Sequence, residues 1–72
     1  MTKIILEIVD QDRKEYDLDK YRDDGKDIFF ITVDGSKYNV SRFYPDELLS
    51  LWFKEDGDWY NIGYVEKIMI EV

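Results

Sequence analysis

The chain has no cysteine and no histidine among its 72 residues, and it also contains no alanine. Without cysteine no disulfide forms, and the usual ligands of a structural zinc site are missing. Histidine is the commonest general acid or base, and cysteine is a strong nucleophile. We therefore expect a protein that is not an enzyme, with no catalytic residue, no metal site and no cofactor.

Basic charge is scarce, because 10 Lys and Arg stand against 17 Asp and Glu for a net charge of −7. Such a surface repels nucleic-acid phosphates and anionic lipid, so we expect neither direct nucleic-acid binding nor membrane association. The apolar runs are short, and no basic segment followed by an apolar run opens the chain. We therefore predict no membrane-spanning segment and no signal peptide, and expect a cytoplasmic location.

Aromatic residues make up 17% of the chain and hydrophobic residues 44%. These fractions are too high for a disordered acidic tail, and large aromatic side chains help a small chain to form a core. We therefore expect residues 1–72 to fold as a single small domain. Eight Ile and five Val, with no Ala, favour strands over helices.

Segments 3–9 and 15–21 alternate between apolar and polar residues, which predicts two antiparallel strands. A five-residue loop between them aligns their apolar faces, with Ile8 opposite Tyr16 and Leu6 opposite Leu18. The last segment, 66–72, is predicted as a strand whose inward residues are Ile68, Ile70 and Val72.

Asp34-Gly35 predicts a hairpin with a two-residue type I′ turn. That register pairs residues 31 with 38 and 29 with 40. It gives the first strand of this hairpin an apolar face made of Phe29, Ile31 and Val33.

Residues 44–58 fit two structures. Pro45 followed by acids could begin a helix over about 45–54. A three-residue loop over 55–57 would instead form a hairpin that pairs Lys54–Asp58, Trp52–Tyr60 and Phe53–Trp59, which we favour. The predicted fold is mostly β, a small antiparallel sheet or partly open barrel of six or seven short strands. The alternative is an α+β fold with one helix packed on the sheet.

Acidic charge is concentrated in two segments. Residues 7–27 hold nine acids and five bases, residues 46–58 hold five acids and one base, and residues 28–45 have a net charge of +1. Glu15, Asp17 and Asp19 share one predicted strand face, and the predicted register sets Glu7 opposite Asp17. Facing like charges destabilise a sheet, which indicates that these acids serve a partner. The alternative is that the acids only keep an aromatic-rich protein soluble.

These observations favour a small acidic interaction protein that binds a protein partner with a basic surface. One version is a nucleic-acid mimic that inhibits a DNA- or RNA-acting enzyme, as in phage or mobile-element counter-defence, in the host-cell cytoplasm. The candidate partner-binding residues are Glu7, Glu15, Asp17, Asp19, Asp23, Asp24, Asp27, Asp56, Asp58, Trp59 and Tyr60.

A second hypothesis comes from another class of protein. Strands 3–9 and 66–72 are strongly apolar, and an unpaired edge strand is a ready docking surface. In that case the chain is a structural or assembly module that dimerises or docks through one of these strands.

Overall fold

The computed structural model describes residues 2–42 and 49–72 and shows six antiparallel strands that close into a barrel. Each strand pairs with the next along the chain, and the last pairs back with the first. The strands are β1 (Lys3–Ile8), β2 (Lys14–Asp23), β3 (Asp27–Thr32), β4 (Lys37–Arg42), β5 (Leu49–Glu55) and β6 (Asp58–Glu71). The mostly β prediction is confirmed.

The helix considered over 45–54 is wrong for its second part, because residues 49–54 belong to strand β5. Its first part, 45–48, lies outside the described residues. No helix in residues 2–42 and 49–72 is long and apolar enough to cross a membrane.

The core lies inside the barrel and draws at least one side chain from every strand. Its buried members are Ile4, Leu6, Ile8, Leu18, Phe30, Val40, Leu51 and Val65. Ile68 and Ile70 pack against this cluster as predicted, but Val72 is fully exposed, so its inward placement is wrong. Val72 follows the last paired residue, and nothing holds it against the core.

Strands β1 and β2 pair in a register four residues away from the predicted one, with Ile4 rather than Ile8 opposite Tyr16. Because four is even, the same side chains still point inward. The shift does change the charge pairs. Glu7 stands opposite Lys67 of β6 and Asp17 stands opposite Lys3, so the predicted Glu7–Asp17 pair is wrong. Each of these acids faces a lysine, so no like-charge pair between β1 and β2 indicates a partner.

Both Asp-Gly hairpins are present, but their loops differ from prediction by one residue. The β3–β4 loop has three residues, closed by hydrogen bonds from the Thr32 N–H to the Ser36 carbonyl (3.0 Å) and from the Gly35 N–H to the Thr32 carbonyl (2.9 Å). The Thr32 hydroxyl and the Ser36 N–H both donate to Asp34 Oδ1, which stabilises this wider loop.

The β5–β6 loop is the shorter one, since Glu55 pairs with Asp58 around Asp56 and Gly57. Both loop residues have positive φ, 52° and 85°, as a type I′ turn requires. The hairpin is therefore confirmed. Its predicted cross-strand pairs are wrong by one position, and Lys54 faces Trp59 instead of Asp58.

A one-residue change in register reverses the faces of strand β3. Phe30, which is 1% exposed, and Thr32 point inward, whereas Phe29 and Ile31 lie on the outer face. The predicted apolar face of Phe29, Ile31 and Val33 is therefore wrong. Val33 lies in the loop and is 64% exposed.

Three β-bulges reverse the alternation of side chains within a strand. Opposite β1, Glu7 pairs with Lys67 and Ile8 with Val65, so Glu66 is the extra residue of β6. In β2, Leu18 pairs with Thr32 and Lys20 with Ile31, so Asp19 is the extra residue. In β6, Leu51 pairs with Gly63 and Trp52 with Asn61, so Ile62 is the extra residue. Beyond each bulge the side chains that simple alternation would turn inward lie on the outer face.

Candidate functional site

The predicted acids of β2 are all exposed, but they differ in their surroundings. Glu15 lies 3.6 Å from Lys3 Nζ and 3.9 Å from an Arg13 guanidinium nitrogen. These ion pairs are solvent-exposed and weakly stabilising. Asp17 and Asp19 make no ion pair within the described ranges, so they carry the free acidic charge of this strand.

The acids of the β2–β3 turn have a structural role. Asp23 Oδ1 accepts the Gly25 N–H at 2.8 Å, and Asp24 Oδ1 accepts the N–H groups of Lys26 (3.1 Å) and Asp27 (2.7 Å). The hydrogen bonds from Asp27 and Lys26 hold the pKa of Asp24 below its usual value. These side chains therefore stabilise the turn through their hydrogen bonds to its backbone.

The predicted acidic residues do not form one surface. Successive strands of the barrel alternate in direction, so loops β1–β2 and β5–β6 lie at one rim and the β2–β3 turn at the other. Asp56 and Asp58 belong to the first rim, whereas Asp23, Asp24 and Asp27 belong to the second. Trp59 and Tyr60 are 39% and 50% exposed and point to opposite faces of β6.

A groove of about 390 Å³ lies on the barrel wall beside strands β2, β3 and β4 and the tip of the β5–β6 hairpin. We call it the cationic groove, because no carboxylate lines it among the described residues. The charged side chains that do line it are Lys20, Arg22, Lys37 and Lys54, and two of its aromatic residues are Phe29 and Trp59.

Aromatic rings hold two of these cations in place. The Arg22 guanidinium lies 5.0 Å from the centre of the Phe29 ring, and Lys54 Nζ lies 5.7 Å from the centre of the Trp59 ring. Phe29 and Trp59 meet edge to face with ring centres 6.3 Å apart. The two ion pairs within residues 2–42 and 49–72 both involve Glu15, so no carboxylate neutralises the groove cations there.

The bulges explain why sequence patterns missed this groove. Without the bulge at Asp19, alternation from Leu18 would point Lys20 and Arg22 into the core. Without the bulge at Ile62, alternation from Val65 would point Trp59 inward. Of the predicted site residues only Trp59 lines the groove. The prediction for Trp59 rests on its being an exposed aromatic residue, not on this position.

Asn39 is a buried polar side chain near the groove. It is 9% exposed, and its direct cross-strand neighbours are Phe29 on β3 and Trp52 on β5. Its Nδ2 has no hydrogen-bond partner within residues 2–42 and 49–72. An unpaired buried donor costs free energy, so this position is not optimised for stability.

Tyr38 is the titratable group most perturbed by the core. Its ring stacks on Phe30 with centres 4.9 Å apart and lies 5.0 Å from the Tyr16 ring and 5.1 Å from the Phe53 ring. Burial, followed by the nearby Tyr16, raises the pKa of Tyr38 to about 12. A phenol with this pKa stays protonated near neutral pH and is a poor proton donor or base there.

No protein-family model, curated protein or solved structure matches this chain. Within the described ranges, no three acidic side chains come together as a metal site would require. The two features that remain are the exposed acids of β2 and the cationic groove.

The two strands that the edge-strand hypothesis names are not free edges in the structure. Strand β1 pairs with β6 from Lys3–Glu71 to Ile8–Val65, so segments 3–9 and 66–72 occupy each other's edges. Closure of a barrel removes the free strand to which a partner would add.

Proposed function

We propose that the protein is a non-enzymatic interaction protein that binds the basic surface of a protein partner through Glu15, Asp17 and Asp19. The observation that supports this proposal is the separation of charge along β2. Glu15 and Asp17 lie in the part of the strand that pairs with β1 and Asp19 forms the bulge, whereas Lys20 and Arg22 follow the bulge and line the cationic groove. Among the described residues, Lys20 and Arg22 form no ion pair with these acids.

In the more specific version, the acidic half of β2 imitates a nucleic-acid strand. Glu15 and Asp17 precede the bulge, where outward side chains recur about every 6.6 Å along the extended strand, a distance comparable with the spacing of successive phosphates. The partner is then a DNA- or RNA-acting enzyme that binds this strand in its basic groove. The biological setting is phage or mobile-element counter-defence in the host-cell cytoplasm.

The other predicted acids contribute less to such a surface. Glu7 lies on β1 rather than β2, and Glu15 forms ion pairs with Lys3 and Arg13. Asp17, although it stands opposite Lys3, and Asp19 form no ion pair among the described residues. Asp17 and Asp19 are therefore the residues whose charge a partner would meet first.

The test is capture of partners from a lysate of the native host on the immobilised protein. We expect a retained protein that elutes as salt is raised, because added salt screens exposed charge. Free double-stranded DNA should release the same protein, since both compete for one basic surface. Asp17→Lys with Asp19→Lys should abolish retention, whereas Asp12→Lys with Glu66→Lys, an equal change in charge at exposed sites elsewhere, should not.

Retention that is independent of salt would refute the acidic-surface proposal. Equal loss in both double variants would also refute it, because net charge rather than Asp17 and Asp19 would then control binding. If salt releases the partner but DNA does not, the mimic version fails and the broader proposal stands.

A further inference from the structure

The cationic groove has a composition unlike the rest of this acidic chain. Four of the ten bases line it, and no carboxylate does among the described residues. Lys20 and Lys37 stand on either side of Ile31 in one cross-strand row. This arrangement concentrates positive charge on one patch, although the chain as a whole is negative.

The groove also offers aromatic surface for a flat ligand. Trp59 is 39% exposed and stands beside Phe29, with Arg22 and Lys54 over the two rings. Aromatic faces and guanidinium planes stack on nucleobases, while lysine ammonium groups bind phosphate. The chemistry of the groove therefore selects a ligand that is both planar and anionic.

The size and borders of the groove favour a small molecule over a polymer. Its volume of about 390 Å³ lies within the range of small-molecule sites, roughly 300–1,000 Å³. Outside the groove the chain is acidic, with a net charge of −7 over its 72 residues. This charge would repel the flanking phosphates of a longer strand and oppose its binding.

We propose that the cationic groove binds a free nucleoside polyphosphate, with the base against Phe29 and Trp59 and the phosphates on the lysine ammonium groups. The Lys20–Ile31–Lys37 row holds the anionic end, and the Phe29–Trp59 pair holds the ring. This site is separate from Glu15, Asp17 and Asp19, so the nucleotide proposal and the function proposed above are tested independently of each other.

The test is titration of ¹⁵N-labelled protein with adenosine triphosphate, followed by NMR. We expect saturable shifts of the Trp59 indole signal and of the backbone amides of Phe29 and Ile31. Lys20→Gln with Lys37→Gln should weaken binding at least about tenfold, which is about 1.4 kcal/mol and the low end of what a single hydrogen bond to a charged group contributes. Lys14→Gln with Lys67→Gln removes the same charge at exposed sites outside the groove and should change affinity less than about twofold.

Three further ligands test the two halves of the site. Inorganic tripolyphosphate lacks the ring and adenosine lacks the charge, so each should bind at least about tenfold more weakly than the triphosphate. The proposal is overturned if shifts do not saturate, if the two lysine variants lose affinity equally, or if tripolyphosphate binds as well as the nucleotide. Tighter binding of single-stranded oligothymidylate would also overturn it, because the ligand would then be a nucleic acid.

Discussion

Phe29 of β3 and Trp59 of β6 meet edge to face with ring centres 6.3 Å apart, although strands β4 and β5 lie between theirs in the sheet. The contact joins residues far apart in sequence and ties the tip of the β5–β6 hairpin to the barrel wall. Edge-to-face geometry sets the positive edge of one ring against the negative face of the other, which adds attraction beyond area burial.

This contact should appear as coupling in a double-mutant cycle. Phe29→Ala and Trp59→Ala, measured singly and together by urea unfolding, should couple by about 0.5–1.5 kcal/mol. Phe29→Ala combined with Tyr64→Ala is the control, because Tyr64 is an exposed residue that faces Ser50. That pair should be additive within about 0.5 kcal/mol. Coupling near zero for Phe29 and Trp59 would show that the rings do not touch in solution.

Asn39→Val should leave the free energy of unfolding unchanged or raise it by up to about 1 kcal/mol. The substitution removes the unpaired Nδ2, and a β-branched side chain suits a strand between aromatic neighbours. Asn39→Asp places a charge at the same buried position and should lower stability by more than about 2 kcal/mol. A comparable loss of stability in Asn39→Val would mean that the Asn39 amide does have a hydrogen-bond partner.

Alkaline pH should reveal the buried phenol of Tyr38. Its pKa rises from 10.0 to about 12 in the folded protein. A raised folded pKa contributes stability that is complete below pH 10 and is lost as pH rises through about 12.

Tyrosinate absorbance should therefore show one late transition that disappears in Tyr38→Phe. Tyr60→Phe, at a 50% exposed site, should keep it. The Tyr38→Phe variant should also lose less stability between pH 10 and 12 than the native chain. If the late transition survives in Tyr38→Phe, this assignment is wrong.

Alternation was sufficient to predict the faces of β1 and of the first half of β2. Ile4, Leu6, Tyr16 and Leu18 point inward even though the register moved by four residues. An even shift keeps every side chain on its face. The same argument failed for β3, where a loop one residue longer, closed by Thr32, Asp34 and Ser36, moved the register by an odd number.

The charge of the candidate sites was predictable in amount but not in position. Composition and spacing indicate an acidic protein with Glu15, Asp17 and Asp19 outward, and these three are exposed. The cationic groove had no comparable signal. Simple alternation from Leu18 would point Lys20 and Arg22 inward, and the bulge at Asp19 turns their side chains to the outer face.

The sequence by itself determined the mostly β fold, the two Asp-Gly hairpins and the acidic surface of this protein, because strand propensity, turn chemistry and net charge act over a few neighbouring residues. The tertiary structure alone decided the closure of β1 on β6, the loop lengths and the three bulges. These depend on how six strands share one core, since a bulge forms where the barrel must bend rather than where a local pattern requires it. That bending brings cations from three strands, β2, β4 and β5, together in an acidic chain.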